Sequence, residues 1–134
     1  FACTVLKEHA HEYFEMLQLE ESPWMSFAIQ AKQKAYDEIP SLVHADGTCR
    51  IQTVTQEQNP NYYNLIKAFG DETGTPILFN TSFNLGGEAL VETIYDAMDT
   101  CNRSDINQLY IPEDQDIEIP YSMVKPKTIH TDED

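Results

Sequence analysis

His44-Ala45-Asp46-Gly47-Thr48-Cys49-Arg50-Ile51-Gln52-Thr53-Val54 is a turn signal followed by a strict alternation. Gly tolerates the positive φ of a tight turn, and Asp46-Gly47 sits between two β-favouring runs, residues 41–44 and 49–54, so the stretch predicts a hairpin. Side chains alternate along a strand. Arg50, Gln52 and Val54 therefore share one face, and Cys49, Ile51 and Thr53 the other. One face reads as core and the other as partly polar.

Toward the N-terminus, residues 1–6 are apolar and β-favouring and predict a buried strand. Within residues 9–19, Ala10, Tyr13, Phe14 and Leu17 have the spacing of a helix face. Past Pro23, residues 24–29 predict a second strand, and residues 32–40 a polar connection. Toward the C-terminus, Tyr62, Leu65, Ile66 and Phe69 fall at i, i+3, i+4 and i+7 of a helix that Asn59 or Asn61 can cap and Gly70 can stop. Residues 76–79 are wholly apolar, the pattern of a strand covered on both faces. Thr93 and Asp96 form a capping-box pattern ahead of an inward stripe of Ile94, Ala97, Met98 and Cys101. Residues 108–111 predict a last strand. Strands alternating with helices give an α/β domain with a mixed, twisted sheet over residues 1–111, and residues 112–134 an acidic, Pro-punctuated tail.

The chain of 134 residues carries 23 acidic against 8 basic side chains, a net charge of −15. That field repels nucleic acid and anionic lipid, so neither is an expected partner. No apolar run approaches the roughly 20 residues of a membrane span. Cys3, Cys49 and Cys101 are scattered among apolar neighbours without a CxxC and read as reduced core thiols, which suits a cytoplasmic protein. The chain opens on Phe1, already inside a strand-like run, so we expect upstream residues that would complete any site.

Two stretches carry chemistry. Arg50 and Arg103 are the only arginines. Arg50 lies next to a tight turn on the less apolar face, where its planar fork suits phosphate, or where it is simply a surface residue of a solvated hairpin. Asn80-Thr81-Ser82-Phe83-Asn84 follows a buried strand, the place where open α/β sheets bind ligands. Its amides and hydroxyls can bind an anion or cap the strand as Asx and Ser/Thr turns. His9 and His11 point apart on a helix and make a poor metal pair, and the sequence holds no recognisable metal cluster.

The order of Ser22-Pro23-Trp24-Met25, the His44 to Val54 stretch, Asn61-Tyr62-Tyr63, Thr73-Gly74-Thr75-Pro76, Asn80 to Asn84 and Gly87-Glu88 resembles the C-terminal, YrdC-like region of the NodU/CmcH-type O-carbamoyltransferases. The likeness runs from Phe1 to about Ile111. It implies an enzyme in two parts: an N-terminal transferase half with a bound metal, and a C-terminal half that activates carbamoyl phosphate with ATP and Mg²⁺ to carbamoyl-adenylate for transfer to a hydroxyl acceptor. This chain would be the latter part of that second half, partnered by its own N-terminal transferase domain, binding no metal alone and inactive by itself. By motif position the resemblance assigns Arg50 and Ser82 catalytic roles, with Arg50, Asn80, Thr81 and Ser82 holding substrate and nucleotide. Cys3 stands where that pattern has Pro, and Ala89 where it has Pro. A basic segment expected ahead of Phe1 is absent from the sequence. The alternative is a YrdC-like module that binds a nucleotide or partner without chemistry.

Overall fold

The structure, a computed structural model, describes residues 1–111. These fall into two compact units, Phe1–Thr81 and a second that starts at Ser82. The expected tail of residues 112–134 lies outside the described residues.

The first unit holds β1 (Ala2–Leu6), α1 (Ala10–Tyr13), β2 (Ala28–Gln30), α2 (Gln33–Glu38), β3 (Thr48–Val54), α3 (Pro60–Thr73) and β4 (Ile77–Asn80). The strands form one mixed sheet in the order β2-β3-β1-β4. β1 is interior, with Cys3, Thr4, Val5 and Leu6 all buried, and it runs parallel to β3 from the pair Ala2/Arg50 to the pair Leu6/Val54. A parallel pair needs a crossover, and residues 7–47 supply it. β4 is antiparallel to β1, with Asn80 opposite Ala2, and β2 is antiparallel to β3, with Ala28 opposite Arg50.

One face of the sheet is a core. Cys3, Val5, Ile29, Cys49, Ile51 and Ile77 pack there with crossover residues that include Ala10, Tyr13, Phe14 and Leu42. Burial pushes the Cys49 thiol up to about 11 and, with Cys49 close by, the Cys3 thiol up to about 12, so both stay protonated at neutral pH. All three cysteines are free. On the opposite face a smaller cluster joins Leu6 and Val54 to Ile66 of α3, with Tyr62, Tyr63 and Leu78 at its edge.

Several elements differ from the sequence expectation. The turn at Asp46-Gly47 forms: Gly47 has φ +81, its N–H donates to His44 O at 2.9 Å, and His44 N–H donates to Thr48 O at 2.8 Å. The first arm of the expected hairpin is not a strand. Pro40 starts a 3₁₀ turn, Pro40–Leu42, and the slot beside β3 belongs to β2. The helix expected over residues 9–19 shrinks to α1, because Phe14 turns extended and its backbone bridges Ala31. Leu17 is left 91% exposed. The strand expected over 24–29 covers only Ala28–Gln30, and α2 forms within the expected polar connection, burying Ala35.

In α3, Asn59 accepts from the backbone N–H of Tyr62 at 3.1 Å, and the helix runs past Gly70 to end at Gly74, φ +82. Gly70 serves close packing instead: a Cβ there would lie 2.8 Å from the Cβ of Pro76. Ile66 is buried, but Leu65 and Phe69 of the expected stripe are exposed. β4 is an edge strand, so Phe79 is half exposed and packs tilted against Phe1 rather than being covered on both faces.

The second unit contains α4 (Ile94–Asn102), opened by the expected capping box: Asp96 N–H donates to Thr93 Oγ1, and Thr93 N–H donates to Asp96 Oδ2. Ala97, Met98 and Thr100 are its buried residues, while Ile94 and Cys101 are partly buried. Residues 108–111 form no strand, and Tyr110 is exposed. Among the described residues no helix is long and apolar enough to cross a membrane.

Candidate functional site

Register places Arg50, Ala2 and Asn80 side by side on β3, β1 and β4, with Ala28 beyond Arg50. Paired residues point to one side, so Arg50 and Asn80 share the face opposite the main core. Two strand spacings separate their backbones, about 10 Å. The next row on that face is Gln52, Thr4 and Leu78. The apolar packing of α3 on this face lies at the Leu6–Val54 end. At the other end the cover is made of polar side chains.

These side chains form a directed chain of hydrogen bonds. Tyr62 OH donates to Asn80 Oδ1 at 3.1 Å, and Asn80 Nδ2 donates to Thr4 Oγ1 at 2.6 Å. Thr4 OH donates to Gln52 Oε1 at 2.9 Å, and Gln52 Nε2 donates to Pro23 O at 2.9 Å. Thr4 is fully buried. A buried hydroxyl or amide without a partner is costly, so each member orients the next. Asn80 Nδ2 also lies 3.7 Å from Met25 Sδ, a weak acceptor.

Arg50 is exposed, and its Nε donates to Met25 O at 3.1 Å. Its guanidinium makes no ion pair among the described residues. Arg103, in the second unit, is bound by both carboxylate oxygens of Glu88 and by Asp99 at 3.0 Å, and these carboxylates raise its pKa. Of the two arginines, Arg50 is the one not matched to an acid among the described residues.

The turn before Arg50 is fastened by its own motif. Asp46 Oδ1 accepts from Thr48 N–H at 3.0 Å and Thr48 OH at 2.7 Å, which holds the Asp46 carboxyl below its usual range. His44 Nε2 lies 3.0 Å from Phe1 O, tying the turn to the start of β1. His44, Asp46 and Thr48 thus position the strand that carries Arg50.

The Asn80 to Asn84 stretch divides between the units. Thr81 is exposed directly after β4, and Ser82 is exposed at the start of the second unit. Asn84 Nδ2 donates to Leu85 O at 3.0 Å and to Glu88 O at 3.1 Å, so it organises a turn, while its Oδ1 is buried without a hydrogen-bond partner. Sequence reasoning singled out Arg50 and Asn80 but missed Thr4, Gln52, Tyr62 and Ser22 as their supports. Thr4 carried a signal, as the polar residue inside the apolar run of β1. Among the described residues no group of three or more His, Cys, Asp or Glu is placed to hold a metal ion.

A family model described as "Carbamoyltransferase C-terminus" matches residues 1–115. Over 112 residues the chain is 37% identical to the nodulation protein NolO of Bradyrhizobium diazoefficiens, covering 83% of this chain and 20% of that protein. It is 38% identical to the nodulation protein NolNO of Sinorhizobium fredii over 112 residues, 83% of this chain and 16% of the other. Over 101 residues it is 29% identical to a 3'-hydroxymethylcephem-O-carbamoyltransferase of Amycolatopsis lactamdurans, covering 75% of this chain and 18% of that enzyme. The chain therefore spans a fifth or less of the length of these relatives.

Proposed function

Because this chain belongs to the carbamoyltransferase C-terminus family, we propose that it forms part of the site that activates carbamoyl phosphate with ATP in an O-carbamoyltransferase. The observation that carries this reading is the Arg50 row: a guanidinium with no acidic partner among the described residues, in line with Asn80, in a chain of net charge −15. In so acidic a chain an unmatched arginine is the place where an anion is held.

Arg50 would bind a phosphate group through its terminal N–H groups while Nε stays on Met25 O. Asn80 would turn the N–H now beside Met25 Sδ toward a phosphate oxygen, since a thioether is a weak partner to displace. Thr81, which follows Asn80 in the chain, would add hydroxyl and backbone donors. Water would release phosphate from carbamoyl phosphate and leave carbamate. A carbamate oxygen would then bond to the α-phosphorus of ATP as its bond to pyrophosphate breaks, so one water is consumed overall. Both departures move negative charge, and a fixed cation in the right place lowers that barrier. The row's donors are amides, a hydroxyl and a guanidinium, which suit anions rather than divalent cations. Mg²⁺ would enter on the nucleotide's phosphates and neutralise part of their charge. Free, buried Cys3 and Cys49 fit a cytoplasmic setting, and transfer to the acceptor hydroxyl belongs to the rest of the enzyme.

Calorimetric titration with carbamoyl phosphate and with ATP tests the reading. Arg50→Ala should weaken both ligands about ten-fold or more, the worth of a charge-assisted hydrogen bond, while Arg103→Ala should leave them unchanged. Equal affinities in the two variants would remove Arg50 from the site.

A further inference from the structure

The short segment Pro23-Trp24-Met25 is held from both sides by the polar row: Gln52 Nε2 donates to Pro23 O at 2.9 Å and Arg50 Nε to Met25 O at 3.1 Å. Ser22, just before it, is 1% exposed and fastened to β3 by three hydrogen bonds. Its N–H donates to Thr53 Oγ1 at 2.8 Å, its hydroxyl to Ile51 O at 3.2 Å, and its carbonyl accepts from Thr53 N–H at 2.9 Å. Met25 has φ +52, a left-handed conformation that strains any side chain other than glycine or asparagine. Two donors, a buried anchor and a strained residue thus fix a loop whose central residue, Trp24, is 81% exposed.

Phe1, Phe79 and Tyr62, also near the row, have partners: Phe1 and Phe79 pack tilted against each other with centroids 4.8 Å apart, and the half-buried Tyr62 donates its hydroxyl to Asn80. Trp24 has no ring partner among the described residues. A large indole on a tightly held loop gains nothing for the fold from its exposure, whereas an exposed aromatic on the loop whose next carbonyl holds the Arg50 guanidinium suits a ligand that is flat at one end and anionic at the other.

We propose that Trp24 is the stacking platform for the base of a nucleotide whose phosphates are held at Arg50. The proposal rests on the reading of the Arg50 row as an anion site and adds the residue that would distinguish a nucleotide from a small phosphate ester. The link between the two is direct, because the carbonyl that follows Trp24 in the chain is the one Arg50 Nε holds. Stacking uses the face of the base, so it needs no hydrogen-bonding group on Trp24.

Trp24 is the only tryptophan of the chain, so its emission reports the contact directly. Titration of the chain with MgATP should quench that emission saturably. Carbamoyl phosphate, which has no ring, should compete with ATP without quenching by itself. Trp24→Ala should lower ATP affinity about ten-fold, Trp24→Phe should recover most of it, and neither should change calorimetric affinity for carbamoyl phosphate. ATP that binds Trp24→Ala as tightly as the unaltered chain would overturn the platform while leaving the anion site standing. An unaltered chain that binds neither ligand would overturn both.

Discussion

The two faces of the sheet are built from alternate residues of the same strands, yet they are closed by different means. On one face Cys3, Val5, Cys49 and Ile51 are fully buried beneath side chains of the crossover. Packing carries most of that seal, and the polar groups there are satisfied in place: the Tyr13 hydroxyl donates to Glu38 Oε2 at 2.7 Å, and Thr53 Oγ1 accepts from Ser22 N–H at 2.8 Å. On the other face the apolar packing of α3 lies at the end marked by Leu6 and Val54. The remaining half is closed by Thr4, Gln52, Asn80 and Tyr62 bonding one another in sequence, with Arg50 at the open margin. Packing tolerates no polar ligand, whereas a row of oriented polar groups can exchange one of its partners for an anion. The difference separates what holds the fold from what the fold offers to a ligand.

Removing bulk from the sealed face should have the largest effect. Ile51→Ala opens a cavity between strands on both sides and should destabilise the chain by about 2–5 kcal/mol, read from the urea midpoint. Arg50→Ala, on the same strand one residue away, should stay within about 0.5 kcal/mol of the unaltered chain, as exposed substitutions do. If both variants lost the same stability, the two faces would not differ in the way described.

The polar face should respond most to loss of its central hydroxyl. Thr4→Val keeps the shape but leaves the Asn80 N–H and Gln52 Oε1 without their partner, at a cost of about 1–3 kcal/mol. Thr4→Ser should recover most of that stability. A fully stable Thr4→Val chain would mean that the hydrogen bonds across the row close nothing.

The alternation of Arg50, Gln52 and Val54 against Cys49, Ile51 and Thr53 was legible from the sequence because it depends on neighbours two residues apart. The capping box of Thr93 and Asp96 was legible for the same local reason. What was not legible depends on distant partners. Asn80 and Thr4 are 76 residues apart and meet only through the strand register. The hairpin expected at Asp46-Gly47 lost its first arm because β2 pairs with β3, a choice the turn itself does not contain. Gly70 reads as a helix stop until Pro76 is seen to pack against it. The exposed Trp24 looked like a strand residue because its hydrophobicity, not the bonds of Ser22 and Arg50 on either side, dominates a local reading.

The smallest expected effect lies over the sealed face, where α1 is tied to α2 by charge as well as by packing. Glu12 accepts from Lys34 Nζ at 2.6 Å and lies 2.6 Å from His9 Nδ1. The Lys34 hydrogen bond first, and His9 second, hold the Glu12 carboxyl down at about 2. A carboxyl whose pKa is lowered by folding contributes stability that is complete above its unfolded value of about 4.3. That contribution is lost as pH falls from there toward 2. The three side chains are 35–41% exposed, so water and salt screen the contribution to under about 1 kcal/mol. Glu12→Gln should therefore reduce stability slightly at pH 6 and much less at pH 3, and urea midpoints at both values would measure the difference. The Arg50 row contains no carboxylate, so Arg50→Ala should show no such dependence over the same interval. If Glu12→Gln lost as much stability on acidification as the unaltered chain, Tyr13 and Phe14 would be holding α1 on the sheet by packing alone.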